Sequence, residues 1–114
     1  MLLAVAGLAL AGCSKPAATA APADVTGLRP ADRRLAELYE GACKTCHVTP
    51  GSGAPQTHDH AAWAPRWKQG ESVLLDHVIQ GYRAMPALGQ CAACAPDDFK
   101  ALIRFLADKE GAPK

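Results

Sequence analysis

Cys43-Lys44-Thr45-Cys46-His47 decides how this chain is read. Two cysteines separated by two residues and followed at once by a histidine form the pattern of covalent c-type haem attachment. Each thiol adds across one vinyl group, giving two thioether bonds. The two-residue spacing lets one helical turn present both thiols. The histidine then lies under the iron and offers it an imidazole nitrogen, a general arrangement for haem. The same residues admit plainer readings, as a redox CxxC pair or half of a zinc site. An export signal upstream and a sulfur ligand downstream favour haem.

Upstream, residues 2–10 form an apolar run of signal-peptide length, too short to span a bilayer as a helix. It closes on Leu10-Ala11-Gly12-Cys13, which resembles the bacterial lipoprotein box. On that reading residues 1–12 are a signal peptide and Cys13 becomes the acylated first residue. No Lys or Arg precedes Cys13, where a leader ordinarily carries one. An ordinary export signal with an incidental cysteine is the alternative. Residues 14–27, SKPAATAAPADVTG, are rich in Ala and Pro and poor in large apolar side chains. With Cys13 they read as a lipidated, flexible tether. The folded domain is expected over 28–114, facing the periplasm from a membrane of the bacterial envelope. The five cysteines divide without remainder, Cys13 to lipid, Cys43 and Cys46 to haem, leaving Cys91 and Cys94. An oxidising compartment lets that last pair close as a disulfide.

A formal charge of +1 over 114 residues gives no sign of a nucleic-acid partner. Leu35, Leu38, Tyr39 and Ala42 repeat at helical spacing and run into the haem motif. Leu75, Val78, Ile79 and Tyr82 repeat it, with Gly81 as a stop; Phe99, Leu102, Ile103 and Leu106 repeat it again. Pro96 and the acidic pair Asp97 and Asp98 suit the start of the last helix, and Lys109 and Gly111 its end. A shorter helix is expected after Asp59, carrying Trp63 and limited by Pro65. No segment alternates as a strand does, so the fold class is all-α, with short helices packed around one haem. With aromatics at 5% the chain has little core of its own, so the haem completes it and the haem-free chain is expected to be poorly ordered.

Beyond the leader, Met85 is the only methionine, in the loop Gly81-Tyr82-Arg83-Ala84-Met85-Pro86. A thioether is a soft, neutral ligand, and Met/His ligation raises a haem's reduction potential. A lone Met filling a core gap is the plainer reading. His58, His60 and His77 compete as ligands, but two stand in a polar loop and His77 on the polar side of its helix, so all are expected at the surface.

From 39 to 106 the chain resembles the small class I c-type cytochromes, and among them the cytochrome c5 type. The likeness rests on the haem motif, then Gly53-Ala54-Pro55 and Asp59, then Trp63-Ala64-Pro65-Arg66 and Gly70. Gly81-Tyr82, Met85-Pro86 and Cys91-Ala92-Ala93-Cys94 complete it. It implies the class I fold, one covalent haem c, His47 and Met85 as iron ligands, and a Pro55 carbonyl holding the His47 ring. It places Trp63 and Arg66 near a haem propionate. For Cys91 and Cys94 a local disulfide is the reading adopted, ahead of a zinc half-site or a thioredoxin-like pair. Ala95 stands where this type often has Ser, and His58-Asp59 where Gly-Asp is common.

The implied function is electron transfer between redox proteins of a respiratory chain, with no small-molecule substrate and no catalysis. Lys44, Lys68 and Arg83 are candidate steering charges, or ordinary solvated ones. The rivals are a haem enzyme or gas sensor with a displaceable Met85, a thiol–disulfide module on Cys91 and Cys94, and a fixed cytochrome subunit of a larger oxidoreductase.

Overall fold

The computed structural model describes residues 24–111, so the 1–12 leader and Cys13 lie outside the described residues. Within them the regular structure is helical, apart from an isolated bridge between Tyr82 and Met85. The first helix, α1 (Arg33–Leu38), starts where the Asp32 carboxylate accepts the Leu35 N–H at 2.8 Å. It passes into a π-helical turn, Tyr39–Cys43, closed by the Lys44 N–H on the Tyr39 carbonyl. The haem motif then occupies α2 (Lys44–His47). The hydrophobic repeat predicts an unbroken α-helix here. The π turn is a local departure just ahead of the motif, where Gly41 offers least resistance to unwinding.

In α3 (His60–Trp67) the Asp59 carboxylate caps the Ala62 N–H at 3.1 Å. Pro65 does not limit this helix, which runs on to Trp67. Proline removes only the N–H owed to the Ala61 carbonyl, and both residues are exposed, so water can replace it. Next, α4 (Glu71–Gln80) is bracketed by Gly70 at φ 97° and Gly81 at φ 84°, left-handed values that suit glycine. A 3₁₀ turn (Ala87–Gln90) leads to α5 (Pro96–Leu106).

The core forms where the first and last helices meet. Tyr39 is 0% exposed and meets Phe105 edge-on at 5.0 Å between ring centres. Such a pair adds about 0.5–1.5 kcal/mol beyond its area. Trp63, Leu102, Leu106 and Ala107 complete the cluster, with Leu35, Leu38, Cys43 and Val48 against it. Arg34 clamps α1 to Asp98 at the start of α5 through a two-pronged ion pair. Arg104 of α5 reaches Glu71 of α4 at 2.5 Å.

Several local expectations are corrected. The inward face of α4 centres on Leu74 and not on Ile79 and Tyr82, which are 37% and 42% exposed. The helix ends at Gln80, and Gly81 re-aims Tyr82 into its pairing with Met85. The stop of α5 is Asp108, left-handed at φ 55°, and not Gly111. Asp108 N–H bonds the Phe105 carbonyl at 3.0 Å and Lys109 N–H the Arg104 carbonyl at 2.7 Å, a Schellman closure. His58 is half-buried, its N–H on the Leu106 carbonyl at 2.8 Å and its ring against Phe105. His77 is half-buried too, stacked on Tyr82 at 4.0 Å, whereas His60 is exposed and paired with Asp108. Val25, in the stretch read as tether, is buried. Cys91 and Cys94 are disulfide-bonded, their Cα atoms 5.4 Å apart.

At the start of α5 the Asp98 carboxylate accepts the Ala95 N–H at 2.8 Å. This is half of a capping box, because Ala95 has no side-chain acceptor to return the bond. Arg34 first, and the Ala95 N–H second, hold the Asp98 carboxyl below its usual range. Ala95 has the extended backbone that a helix cap needs (φ −85°, ψ 163°). Ala95→Ser is therefore expected to stabilise the haem-loaded protein by about 0.5–1.5 kcal/mol, read from its denaturant midpoint.

Candidate functional site

The structure brings Cys43, His47 and Met85 to one apolar cleft. Phe99, Leu102, Ile103 and Leu106 of α5 line its base. Cys43 and His47 enter from the π turn and α2, and Val78, Met85, Leu88 and Gly89 from α4 and the chain beyond it. Cys46 is exposed, and neither Cys43 nor Cys46 is in a disulfide. Burial pushes the Cys43 thiol up to about 11, so it stays protonated at neutral pH.

His47 is 6% exposed. Its Nδ1 lies 2.7 Å from the Pro55 carbonyl oxygen. A carbonyl only accepts, so Nδ1 carries the hydrogen. Burial is the main cause holding the His47 pKa below its usual value; the Pro55 bond opposes it and the Arg66 charge adds to it. The imidazole is therefore neutral at neutral pH, and Nε2 keeps a bare lone pair. Ring and backbone are both held by the 55–57 segment, since Thr57 N–H bonds the His47 carbonyl at 2.7 Å.

Met85 is held by its backbone. Tyr82 N–H donates to the Met85 carbonyl at 3.0 Å and Met85 N–H to the Tyr82 carbonyl at 2.9 Å. Gly81 is required beside this pair, because a Cβ there would meet Ala87 N at 3.0 Å and Met85 O at 3.1 Å. At Gly89 a Cβ would meet the Met85 methyl at 3.1 Å. Leu88, Gly89 and Gln90 are all left-handed, with φ of 58°, 53° and 61°. Neither Leu88 nor Gly89 stands out in the sequence as a site residue, since their role depends on that turn.

Trp63 is buried beside His47, its ring 6.0 Å away and inclined by 20°. Its indole N–H is given to the Gln56 carbonyl at 2.8 Å, which assigns Trp63 to the core beneath the imidazole. Arg66 gives one N–H to the Ala62 carbonyl at 2.6 Å, and its fork carries further donors. Ile79, Tyr82 and Leu88 are the large apolar side chains left exposed among the described residues, and Leu88 also lines the cleft. Arg83 lies over the Tyr82 ring at 5.3 Å.

One ring nitrogen and one thioether do not make a shell for a bare metal ion. Among the described residues no group of three or more His, Cys, Asp or Glu is placed to hold one. The donors suit a metal that arrives with its other positions filled by a flat apolar macrocycle, which the lining of the cleft also matches. The residues present thus fit a haem, which Cys43 and Cys46 would hold.

Residues 30–106 match the family model described as cytochrome C oxidase, cbb3-type, subunit III. Over 82 residues the chain is 36% identical to cytochrome c5 of Ectopseudomonas mendocina, covering 70% of this chain and 90% of that protein. Over 55 residues it is 47% identical to cytochrome c-555 of Chlorobaculum tepidum, covering 45% of this chain; the match spans about half (51%) of that relative's length. A solved structure, titled as an electron transfer complex of nitrite reductase with cytochrome c, matches with a TM-score of 0.61 and 34% identity. The match covers 69% of this chain and 96% of the other.

Gly89→Ala is expected to displace the Met85 methyl group, seen as a shift or broadening of its ε-methyl resonance. Gly51→Ala is the control, since Gly51 has a similar left-handed backbone (φ 81°) with nothing within 4 Å of the added carbon. It should leave that resonance in place.

Proposed function

For a chain that belongs to the cytochrome c family, as a class I, c5-like monohaem member with covalent haem c, we propose one-electron transfer between redox proteins. The observation that carries this reading is the convergence of His47 and Met85 on one apolar cleft beside Cys43. Haem supplies an iron centre that cycles between Fe(II) and Fe(III). Cys43 and Cys46 would attach it, and His47 through Nε2 and Met85 through its sulfur would hold its iron. With both of these side chains holding the iron, no position would be left open for substrate. The α5 side chains exclude water from the cleft. The exposed Leu88 of the cleft lining, with the exposed Ile79 and Tyr82, would supply an apolar contact where a partner protein can approach closely. Arg66 is placed near His47 and offers a planar fork suited to a carboxylate.

The site is proposed to face the periplasm on a lipid anchor at Cys13. The 2–10 apolar run and its closing Leu-Ala-Gly-Cys support this. The Ala/Pro-rich tether would let the domain reach partners away from the membrane. A second reading, a fixed cytochrome subunit of a larger oxidoreductase, is supported by the likeness of residues 30–106 to an oxidase-subunit family. Co-purification of a stoichiometric membrane complex would select it.

Acidified acetone should fail to extract the haem, and Cys43→Ser or Cys46→Ser should reduce maturation. The oxidised protein should show the weak far-red sulfur-to-iron band. Met85→Ala should lose the band and bind carbon monoxide once reduced. Met85→His should remain six-coordinate at a lower potential. Ready carbon monoxide binding by the wild type would replace the carrier reading with a sensor or enzyme.

Cys13→Ser should release the protein from membranes, and mass spectrometry of the native form should find lipid on Cys13. Several acyl chains bind stably where one binds marginally, so the release should be clear. A variant that stays in the membrane fraction, or a mature N-terminus elsewhere, overturns the anchor.

A further inference from the structure

The 55–57 segment grips His47 at two points. The Pro55 carbonyl takes the ring hydrogen at 2.7 Å. Two residues on, Thr57 gives both its backbone N–H (2.7 Å) and its hydroxyl (3.1 Å) to the His47 carbonyl. That carbonyl closes the C-terminal end of α2, where helical partners run out. The Thr57 hydroxyl also lies 2.9 Å from the Tyr39 hydroxyl. A hydroxyl has one hydrogen, and Thr57 has given its own to His47. Tyr39 is therefore the donor, and the bonds run one way, from Tyr39 O–H to Thr57 O–H to the His47 carbonyl.

Tyr39 and Thr57 are the largest fully buried side chains among the described residues. Buried away from water, each bond polarises the next, and a missing member leaves a costly unpaired group. Tyr39 is itself fixed, on the π turn before the haem motif and edge-on to Phe105. The chain of hydroxyls thus ties the Pro55 segment to the crossing of the first and last helices.

We propose that Thr57 and Tyr39 are positioning residues for His47, whose hydroxyl chain sets how firmly the Pro55 carbonyl holds the imidazole and so how basic Nε2 is. This rests on His47 being an iron ligand. Thr57 cannot shift from the His47 backbone without moving the Pro55 carbonyl two residues away. A firm bond at Nδ1 raises the basicity of the ligating nitrogen. A more basic ligand favours the oxidised iron and lowers the potential. Loosening the segment should raise it.

The test uses the haem-loaded protein with Thr57→Val, Thr57→Ser, Tyr39→Phe and the double variant Tyr39→Phe/Thr57→Val. Two quantities are read, the reduction potential and the solvent-exchange rate of the His47 Nδ1 hydrogen by NMR in the reduced state. Thr57→Val should raise the potential and speed exchange about fivefold, as loss of one ordinary hydrogen bond would. Tyr39→Phe should move both the same way, less far. Thr57→Ser, which keeps the hydroxyl, should restore wild-type values. Because the groups act in series, the double variant should match Thr57→Val and not the sum of the singles. If Thr57→Val does not mature, Tyr39→Phe carries the test alone, since it keeps the ring on Phe105.

Loss of stability with potential and exchange unchanged would make Thr57 and Tyr39 packing residues only and overturn the proposal. The far-red band and resistance to carbon monoxide report ligation separately. A wild type that fails those checks overturns the Met85 assignment alone, and the relay is still decided by the variants' potential and exchange. A wild type that passes, with unmoved variants, overturns the relay alone.

Discussion

The hydrogen bond from His47 Nδ1 to the Pro55 carbonyl is the constraint on which the site depends. It decides which ring nitrogen is bare, and it does so in a place where burial already disfavours the protonated ring. An imidazole left to rotate there would present either nitrogen. The Gly/Pro-rich loop after the motif returns Pro55, Gln56 and Thr57 to the same side. Each then makes a bond that fixes the imidazole or its neighbours, Pro55 to the ring, Gln56 to the Trp63 indole and Thr57 to the backbone. A loop with no regular structure thus does the orienting, while the helices supply the walls.

The methionine side is fixed by different means. No hydrogen bond can orient a thioether strongly, so Met85 is placed by the backbone around it. Its pairing with Tyr82 sets where its Cα lies, and Gly81 allows the chain to pass within contact distance. The left-handed run at 88–90 then brings Gly89 beneath the methyl group. Non-glycine residues in that conformation, Leu88 and Gln90 here, carry strain that the surroundings must offset. The disulfide at Cys91 and Cys94 follows immediately, and α5 begins two residues later. The strained turn is therefore bounded on its far side by a covalent link, even though so short a loop adds little chain entropy.

Much of this was legible in the residues. The haem motif, the glycine stop at 81 and the apolar face of α5 each follow from local chemistry, and the structure has Phe99, Leu102, Ile103 and Leu106 buried as their spacing implies. What was not legible depends on tertiary contact. Thr57 lies among polar loop residues, and nothing in its type separates it from a solvated threonine. His58 lies in the same loop, yet its ring is drawn onto Phe105 because its N–H is owed to the end of α5. The periodicity of α4 misleads because Tyr82 falls one helical turn after Val78 by number but lies beyond the Gly81 break. Asp108 ends α5 in a role for which Gly111 was the obvious candidate, held there by His60 from the start of α3.

The two halves of the site also differ in what they expose. On the histidine side the groups that matter are buried, with Tyr39 and Thr57 at 0%. On the methionine side Ile79, Tyr82 and Leu88 reach solvent, and the planar groups of His77 and Arg83 rest on Tyr82. Stacking of this kind stiffens a surface without closing it, because rings and a guanidinium restrict each other's rotamers while leaving their edges wet. A carrier that exchanges electrons by brief contact has use for such a division. On the proposed reading, the side that would tune the centre is sealed from a partner, and the side that would meet it is apolar and already ordered, so little conformational freedom remains to be lost on contact.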